Sequence, residues 1–280
     1  MDIVWLNGEL VPAADATISA LDRGVLWGQG LFETLRAYSG RLWAFDEHLT
    51  RLRKGADVLD VPVPDPGALR AGMLDVIDAN GLSDCGVRVT LTRGAGPPGP
   101  HEDADGPPNT ILTAWTLPDY TEIYAHGVDL VTMPGGGRPL AGVKTTSYGA
   151  SVAGRIAAKR AGVDDVLFVG DDDVVLEATG SNLIVAIGRR LLTPPLGDAV
   201  LPGVTCKHVL ALAPSLGFDV AQTTVRLDDL HDADEVVLTS SLREVYPVRS
   251  VDRAELSRAA VAAELRDAFE VVVRTELDLR

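Results

Sequence analysis

Apolar residues recur at two different periods along this chain, and the order in which those periods change limits what it can fold into. Residues 3–6 and 9–12 flank Asn7-Gly8, a pair that accepts positive φ at both central positions of a tight turn, so the chain opens with a hairpin. Residues 31–38 alternate, with Phe32, Thr34 and Arg36 on one face and Leu31, Glu33 and Leu35 on the other, and Ser39-Gly40 turns them into 41–45. From Asp46 the spacing lengthens to a helix carrying Leu49, Leu52 and Val58, and a second helix covers about 66–79. Strands at 87–91 and 110–116 follow, separated by a loop rich in Gly, Pro and Asp at 94–109. After a polar stretch the strands resume at 128–133. The later chain reads as a helix over 149–160, short strands at 166–168, 174–176, 183–187 and 191–194, a helix over 205–215, strands at 235–239 and 245–251, and a long amphipathic helix over 254–277. Strands and helices follow one another without regular βα alternation. The expected class is therefore α+β, in two domains, 1–118 and 126–280, with an interdomain linker at 119–125.

At 280 residues the chain is long enough to bury roughly three quarters of its unfolded surface. Its 25 basic residues stand against 40 acidic ones, and a net charge of −15 repels nucleic-acid backbones and anionic membranes, so neither is an expected partner. Cys85 and Cys206 form no CxxC spacing, which argues against a disulfide framework or thiolate metal site and for a reducing compartment. No apolar run approaches the length of a membrane span and the first residues lack a basic, then apolar, leader; the expected location is cytoplasmic. His101-Glu102-Asp103-Ala104-Asp105 contains metal-ligand types, but an acidic run of this kind reads as a solvated loop, and no metal is expected.

Only four of the 25 basic residues are lysines, leaving 21 arginines. Lys144 lies in Leu140-Ala141-Gly142-Val143-Lys144-Thr145-Thr146-Ser147-Tyr148, with no carboxylate nearby in sequence. Such surroundings desolvate an ammonium and lower its pKa, as a Schiff-base lysine requires; a lysine snorkelling from a strand end fits the same residues. Glu177 ends an apolar run and precedes Ala178-Thr179-Gly180-Ser181-Asn182, a setting for a carboxylate facing a cationic ring nitrogen or for a plain edge strand and turn. Gly203-Val204-Thr205 opens a helix whose free N–H groups suit a phosphate, or is an ordinary cap, and Thr239-Ser240-Ser241 offers hydroxyls to an anion or to a turn.

In this order the segments resemble the class IV aminotransferases, the fold type IV pyridoxal-phosphate enzymes that include D-amino-acid and branched-chain transaminases and aminodeoxychorismate lyase. The resemblance covers nearly the whole chain. It rests on Asp22-Arg23-Gly24 through Gly28-Gln29-Gly30-Leu31-Phe32-Glu33-Thr34, His48-Leu49-Thr50-Arg51-Leu52, Thr92-Arg93-Gly94, Lys144 to Tyr148, Glu177 with Gly180-Ser181-Asn182, Leu201-Pro202-Gly203-Val204-Thr205, and Thr239-Ser240-Ser241 leading to Pro247-Val248. It implies a small N-terminal α/β domain, a larger β-barrel-like C-terminal domain carrying the lysine, and a homodimer. It also implies that Lys144 holds pyridoxal 5'-phosphate and moves the substrate proton, and that Glu177 keeps the pyridine nitrogen protonated. Arg51, Val204, Thr205, Ser240 and Ser241 then receive the phosphate, Leu201 packs on the ring and Tyr148 lies near the ring hydroxyl.

The resemblance leaves the reaction open between an aminotransferase, acting on D-amino or branched-chain amino acids and 2-oxo acids, and a lyase forming 4-aminobenzoate and pyruvate. A non-catalytic anion-binding protein, the third reading, needs neither Lys144 nor Glu177. Bacterial D-amino-acid transaminases hold the substrate carboxylate with a Tyr on the early strand and an Arg and a His in the loop after Thr-Arg-Gly. Here Phe32, Pro98 and Pro100 stand at those places, so that trap is absent. Phe32 and Thr34 remain expected neighbours of the substrate, with Arg36, Arg88 and Arg243 as candidates for its carboxylates, since bidentate pairing is what arginine does best.

Overall fold

The computed structural model describes residues 2–99, 103–135, 140–197, 199–257 and 260–279. They divide into two compact units: one runs to Pro118 and adds Val143–Ser147 and Leu279, and the other comprises Asp119–Gly142 and Tyr148–Asp278. Pro100, His101 and Glu102, in the loop expected at 94–109, lie outside the described residues.

In the first unit, β1 (Ile3–Leu6), β2 (Glu9–Pro12), β3 (Gly30–Tyr38), β4 (Arg41–Leu42), β5 (Cys85–Thr92) and β6 (Asn109–Thr116) form one sheet in the order β2-β1-β6-β5-β3-β4. Asn7 and Gly8 take positive φ, which closes the first hairpin in register Leu6 to Glu9. Besides a four-residue α1 (Arg23–Leu26), the unit has α2 (Phe45–Leu59) and α3 (Pro66–Ala79), the latter started by the Asp65 carboxylate, which accepts the Ala68 N–H at 3.0 Å, and by Pro66 in the first turn. Leu31, Leu35 and Ala37 of β3 join Val87, Val89 and Leu91 of β5 against Leu49 and Leu52 of α2 and Leu69, Met73 and Val76 of α3. Each such large side chain contributes about 1.5–3 kcal/mol by leaving water. The alternation expected for β3 is therefore real, and its second face, Phe32, Thr34 and Arg36, points away from this core.

The second unit contains α4 (Thr121–His126), β7 (Val128–Pro134), α5 (Gly149–Ala161), β8 (Asp165–Val169), β9 (Val175–Ala178), β10 (Asn182–Ile187), β11 (Arg190–Thr193), α6 (Val204–Leu212), β12 (Asp219–Gln222), α7 (Leu227–His231), β13 (Glu235–Ser240), β14 (Glu244–Val251), β15 (Ala254–Glu255) and α8 (Val261–Glu276). Its nine strands order as β12-β11-β10-β13-β14-β7-β8-β9, with β15 on β14. β9, at one end of that order, passes through Thr179–Ser181 straight into β10, third from the other end, so the sheet curls on itself. The Ala178 N–H donates to the Ser181 carbonyl at 2.9 Å and closes that turn. Leu183, Val185, Val236, Leu238, Tyr246 and Val248 fill the interior.

Three expectations change. The stretch 119–125, expected as an interdomain linker, groups with the second unit and carries most of α4, just before which Asp119 accepts the Thr121 N–H at 2.9 Å and its hydroxyl at 2.6 Å. Lys144 does not belong with the C-terminal unit, because 143–147 pair with β3. The last helix begins at Val261 rather than 254, since Asp252 and Arg253 both take positive φ and turn Ala254–Glu255 back onto Ser250 and Val251. Among the described residues no helix is long and apolar enough to cross a membrane.

Candidate functional site

Lys144 is placed by its backbone and by the hydroxyls that follow it. The Phe32 N–H donates to the Lys144 carbonyl and the Thr146 N–H to the Gly30 carbonyl, both at 2.9 Å. The Thr145 hydroxyl donates to Gly30 O at 3.1 Å, and those of Thr146 and Ser147 donate to Gly28 O at 3.2 and 3.3 Å. The run after the lysine is thus a clasp on the start of β3, which holds the half-buried Lys144 with its Nζ 4.6 Å from the Phe32 ring centroid. The Arg88 guanidinium carbon lies 3.7 Å from the same centroid, and Arg88 Nε donates to Thr90 Oγ1 at 3.1 Å. Antiparallel register sets Thr34 opposite Arg88, and Arg36, stacked on Tyr38 at 4.7 Å, is two positions further along. The structure thus gathers Lys144, Phe32, Thr34, Arg88 and Arg36 on one sheet face, where Arg88 stacks on the Phe32 ring.

On the opposite face of β3, Glu33 is 1% exposed and meets α2. Its carboxylate accepts Arg51 Nε and a terminal nitrogen of Arg51, each at 2.7 Å, and is 2.8 Å from His48 Nδ1. Burial pushes the Glu33 carboxyl up, but the Arg51 charge and the bonds from Arg51 and His48 outweigh it and hold the group well below the usual carboxylate range. Burial lowers the His48 pKa against the Glu33 bond and charge, with the Arg51 and Lys144 charges adding to the lowering. A carboxylate only accepts, so His48 is the Nδ1–H tautomer.

In the second unit, Glu177 Oε2 accepts the Leu201 N–H at 3.0 Å and lies 3.4 Å from Asn182 Nδ2, which donates to the Leu201 carbonyl at 2.8 Å. Gly203 caps α6 and abuts Asn182 so closely that a Cβ there would lie 1.9 Å from Asn182 Oδ1. The first turn of this nine-residue helix brings the N–H groups of Val204 and Thr205 to its free end. Thr205 is 2% exposed, and its Oγ1 has no hydrogen-bond partner among the described residues. α6 packs on β13, which ends at Ser240, and Ser240 Oγ accepts the Arg243 N–H at 3.3 Å, with Ser241 beside it. Arg243 stands over the Tyr246 ring at 5.7 Å, and the Tyr148 hydroxyl donates to the Thr179 carbonyl at 2.8 Å.

Residues 30–251 match the family model described as amino-transferase class IV. The chain is a class IV aminotransferase. It is 33% identical over 257 residues to a putative branched-chain-amino-acid aminotransferase of Methanocaldococcus jannaschii, covering 89% of this chain and 88% of that one. It is 30% identical to a D-alanine aminotransferase of Bacillus licheniformis, covering 92% and 91%. A hypothetical aminotransferase from Mycobacterium tuberculosis, solved in its PLP-bound form, superposes with a TM-score of 0.87 at 26% identity, covering 98% of this chain and 99% of that one. Fold type IV is thereby established, and the enzyme is a pyridoxal-phosphate-dependent aminotransferase. These relatives are aminotransferases, and nothing in them favours the lyase.

The residues of this aminotransferase fit that cofactor. A buried Thr hydroxyl without a partner at the start of α6 suits a phosphate oxygen, and the Glu177 carboxylate, held by N–H donors, suits a protonated ring nitrogen. Sequence reasoning assigned no contact to Glu33, His48 or Asn182, of which the structure sets the first two with Arg51 and the third beside Glu177. Glu33 carried a readable signal, an acid on the core-facing side of an alternating strand. Asn182 carried none, because its role depends on Leu201 and Gly203 arriving from elsewhere in the chain.

Proposed function

We propose that this aminotransferase moves the amino group of a D-amino acid, or of a branched-chain amino acid, to a 2-oxo acid, with Arg88 and Arg36 binding substrate carboxylates. The carrying observation is the sheet face on which Arg88 stacks on Phe32 beside Lys144. Lys144 holds the cofactor, and its Nζ takes the proton from the substrate Cα and returns it. Pyridoxal phosphate supplies, when bound, an electron sink for the substrate carbon. Glu177 would stabilise a protonated pyridine nitrogen, with Leu201 and Tyr148 as the residues that would contact the ring and its hydroxyl. Arg51, Val204, Thr205, Ser240 and Ser241 are the candidates for the phosphate charge. Arg243, whose guanidinium stands over the Tyr246 ring, is a weaker carboxylate candidate.

A homodimer belongs to the same reading. It is supported by Leu21, Val25, Leu26 and Trp27, apolar side chains 38–61% exposed within one short segment. A cytoplasmic location is in keeping with Cys85 and Cys206, which are free and buried. The test of the reaction is the near-visible spectrum of the holoenzyme on adding D-alanine, then L-leucine, without a 2-oxo acid. Conversion to the amine form by D-alanine supports the D-amino-acid reading, conversion by L-leucine alone the branched-chain one, and conversion by neither refutes both. Sedimentation of the purified protein at the monomer mass would refute the dimer.

A further inference from the structure

The cluster on the core side of β3 spends more polar groups than a core needs. Glu33, His48 and Arg51 are each at most 8% exposed and come from two elements, β3 and α2, that otherwise contribute apolar side chains to the same core. An ion pair in such a place contributes little net stability over apolar residues of the same volume, so stability does not account for it. Its geometry, however, is specific. The two Glu33 oxygens take Arg51 Nε and a terminal nitrogen side by side at 2.7 Å, which fixes the plane of the guanidinium. His48, three residues before Arg51 and so on the same helix face, donates Nδ1–H to Glu33 Oε2 at 2.8 Å and fixes the carboxylate in turn. The other His48 nitrogen, Nε2, is buried without a hydrogen-bond partner among the described residues, as expected of a neutral ring kept for the bond its Nδ1 makes.

We propose that Glu33 and His48 are positioning residues that set the Arg51 guanidinium in place for the cofactor phosphate, Glu33 by direct pairing and His48 through Glu33. The proposal rests on Arg51 as a phosphate partner. Two physical effects of Glu33 oppose each other, which makes the proposal testable. Its negative charge weakens the attraction of Arg51 for a phosphate, whereas its fixed geometry removes the cost of orienting the guanidinium when the phosphate arrives. If orientation governs, removing the carboxylate weakens phosphate binding despite the gain in positive charge.

The readout is the ratio of two dissociation constants, for pyridoxal phosphate and for pyridoxal, measured by spectroscopic titration of enzyme from which the cofactor has been reversibly withdrawn. Pyridoxal lacks the phosphate, so a general loss of structure weakens both ligands and leaves the ratio alone. Glu33→Gln and His48→Leu are expected to lower the preference for pyridoxal phosphate about 10-fold or more, the range in which supporting hydrogen bonds tune a bound group. His48→Asn, whose amide N–H can replace Nδ1–H, restores it. Parallel weakening of both ligands in Glu33→Gln, or a raised preference for the phosphate form, overturns the proposal. Arg51→Gln separates the two levels. If it leaves the ratio unchanged, the phosphate role of Arg51 fails and the proposal with it. If it lowers the preference for pyridoxal phosphate while Glu33→Gln and His48→Leu do not, the proposal alone fails.

Discussion

Replacing Gly203 by alanine isolates the contact that fastens Glu177. The backbone there has φ −62° and ψ 132°, which alanine adopts without strain, so backbone entropy alone predicts a gain of about 0.4–1 kcal/mol. The added Cβ, however, lies 1.9 Å from Asn182 Oδ1 and 3.0 Å from its Cγ, and Asn182 is only 6% exposed, so the amide has no solvent to swing into. Moving it breaks the bond from Asn182 Nδ2 to the Leu201 carbonyl and its contact with Glu177 Oε2. A buried group left unpaired costs about 1–3 kcal/mol, and the crowding itself about 1–3 kcal/mol more. The net expectation is a loss of about 1–5 kcal/mol, which at about 2–4 °C per kcal/mol for a chain of this size is a fall in Tm of roughly 2–20 °C. Thermal unfolding followed by circular dichroism measures it. In an Asn182→Ala background the same substitution should cost under about 1 kcal/mol, because the clashing atoms are gone. A Tm for Gly203→Ala at or above the wild type, or an equal cost in both backgrounds, would refute the reasoning.

Lys144→Ala should abolish amino transfer while leaving Tm within a few degrees, because the clasp on β3 is made by the Lys144 backbone and by Thr145, Thr146 and Ser147; a large fall in Tm would show that the side chain carries the fold. Arg88→Ala should raise KM for the amino acid by about 10-fold or more, as expected for loss of a charge-assisted pair worth about 1.5–3 kcal/mol, and Arg88→Lys should recover little of it because a lysine offers no planar fork to a carboxylate. Unchanged KM in both Arg88→Ala and Arg36→Ala would remove these residues from the substrate site. The titration of the buried cluster fixes the sign of one pH effect. His48 is held below its ordinary 6.5, so below that pH the unfolded chain binds a proton that the folded chain refuses, and stability falls by up to about 1.4 kcal/mol per pH unit. Glu33, held below 4.5, adds a loss of the same sign only under pH 4.5. Between pH 6.5 and 4.5 the Tm of His48→Asn should therefore fall less steeply than that of the wild type, and parallel curves would show that His48 titrates as it does in an unfolded chain.

What the sequence makes legible here is what local pattern encodes. Alternation places Phe32, Thr34 and Arg36 opposite Leu31 and Leu35, and Asn7-Gly8 closes a hairpin, because both depend on neighbours within a few residues. The late start of α8 is not legible in that way. The small residues from Ala254 onward continue a helical period, and only the positive φ of both Asp252 and Arg253 reveals that the chain first turns back onto β14. Nor does sequence show with which unit Lys144 packs. Thr145, Thr146 and Ser147 look like turn formers, but their hydroxyls bond to carbonyls more than 110 residues earlier, at Gly28 and Gly30.

The two faces of β3 show how one strand can serve both the fold and the chemistry. An alternating strand has a single residue on each side at each step, so Phe32 and Glu33 are forced to opposite faces and cannot act on the same group directly. Phe32 carries Arg88 and Lys144 against its ring, whereas Glu33 reaches Arg51 through the core. A displacement of β3 along its own axis would therefore disturb both sets at once, and the fastening of its first residues by 143–147 resists such a shift. Weakening the clasp with Thr146→Val, which removes the bond to Gly28 O but keeps the shape, should then affect groups on both faces. The expected result is a joint fall in the pyridoxal phosphate preference and rise in KM for the amino acid; a change in one without the other would show that the two faces of the strand move independently.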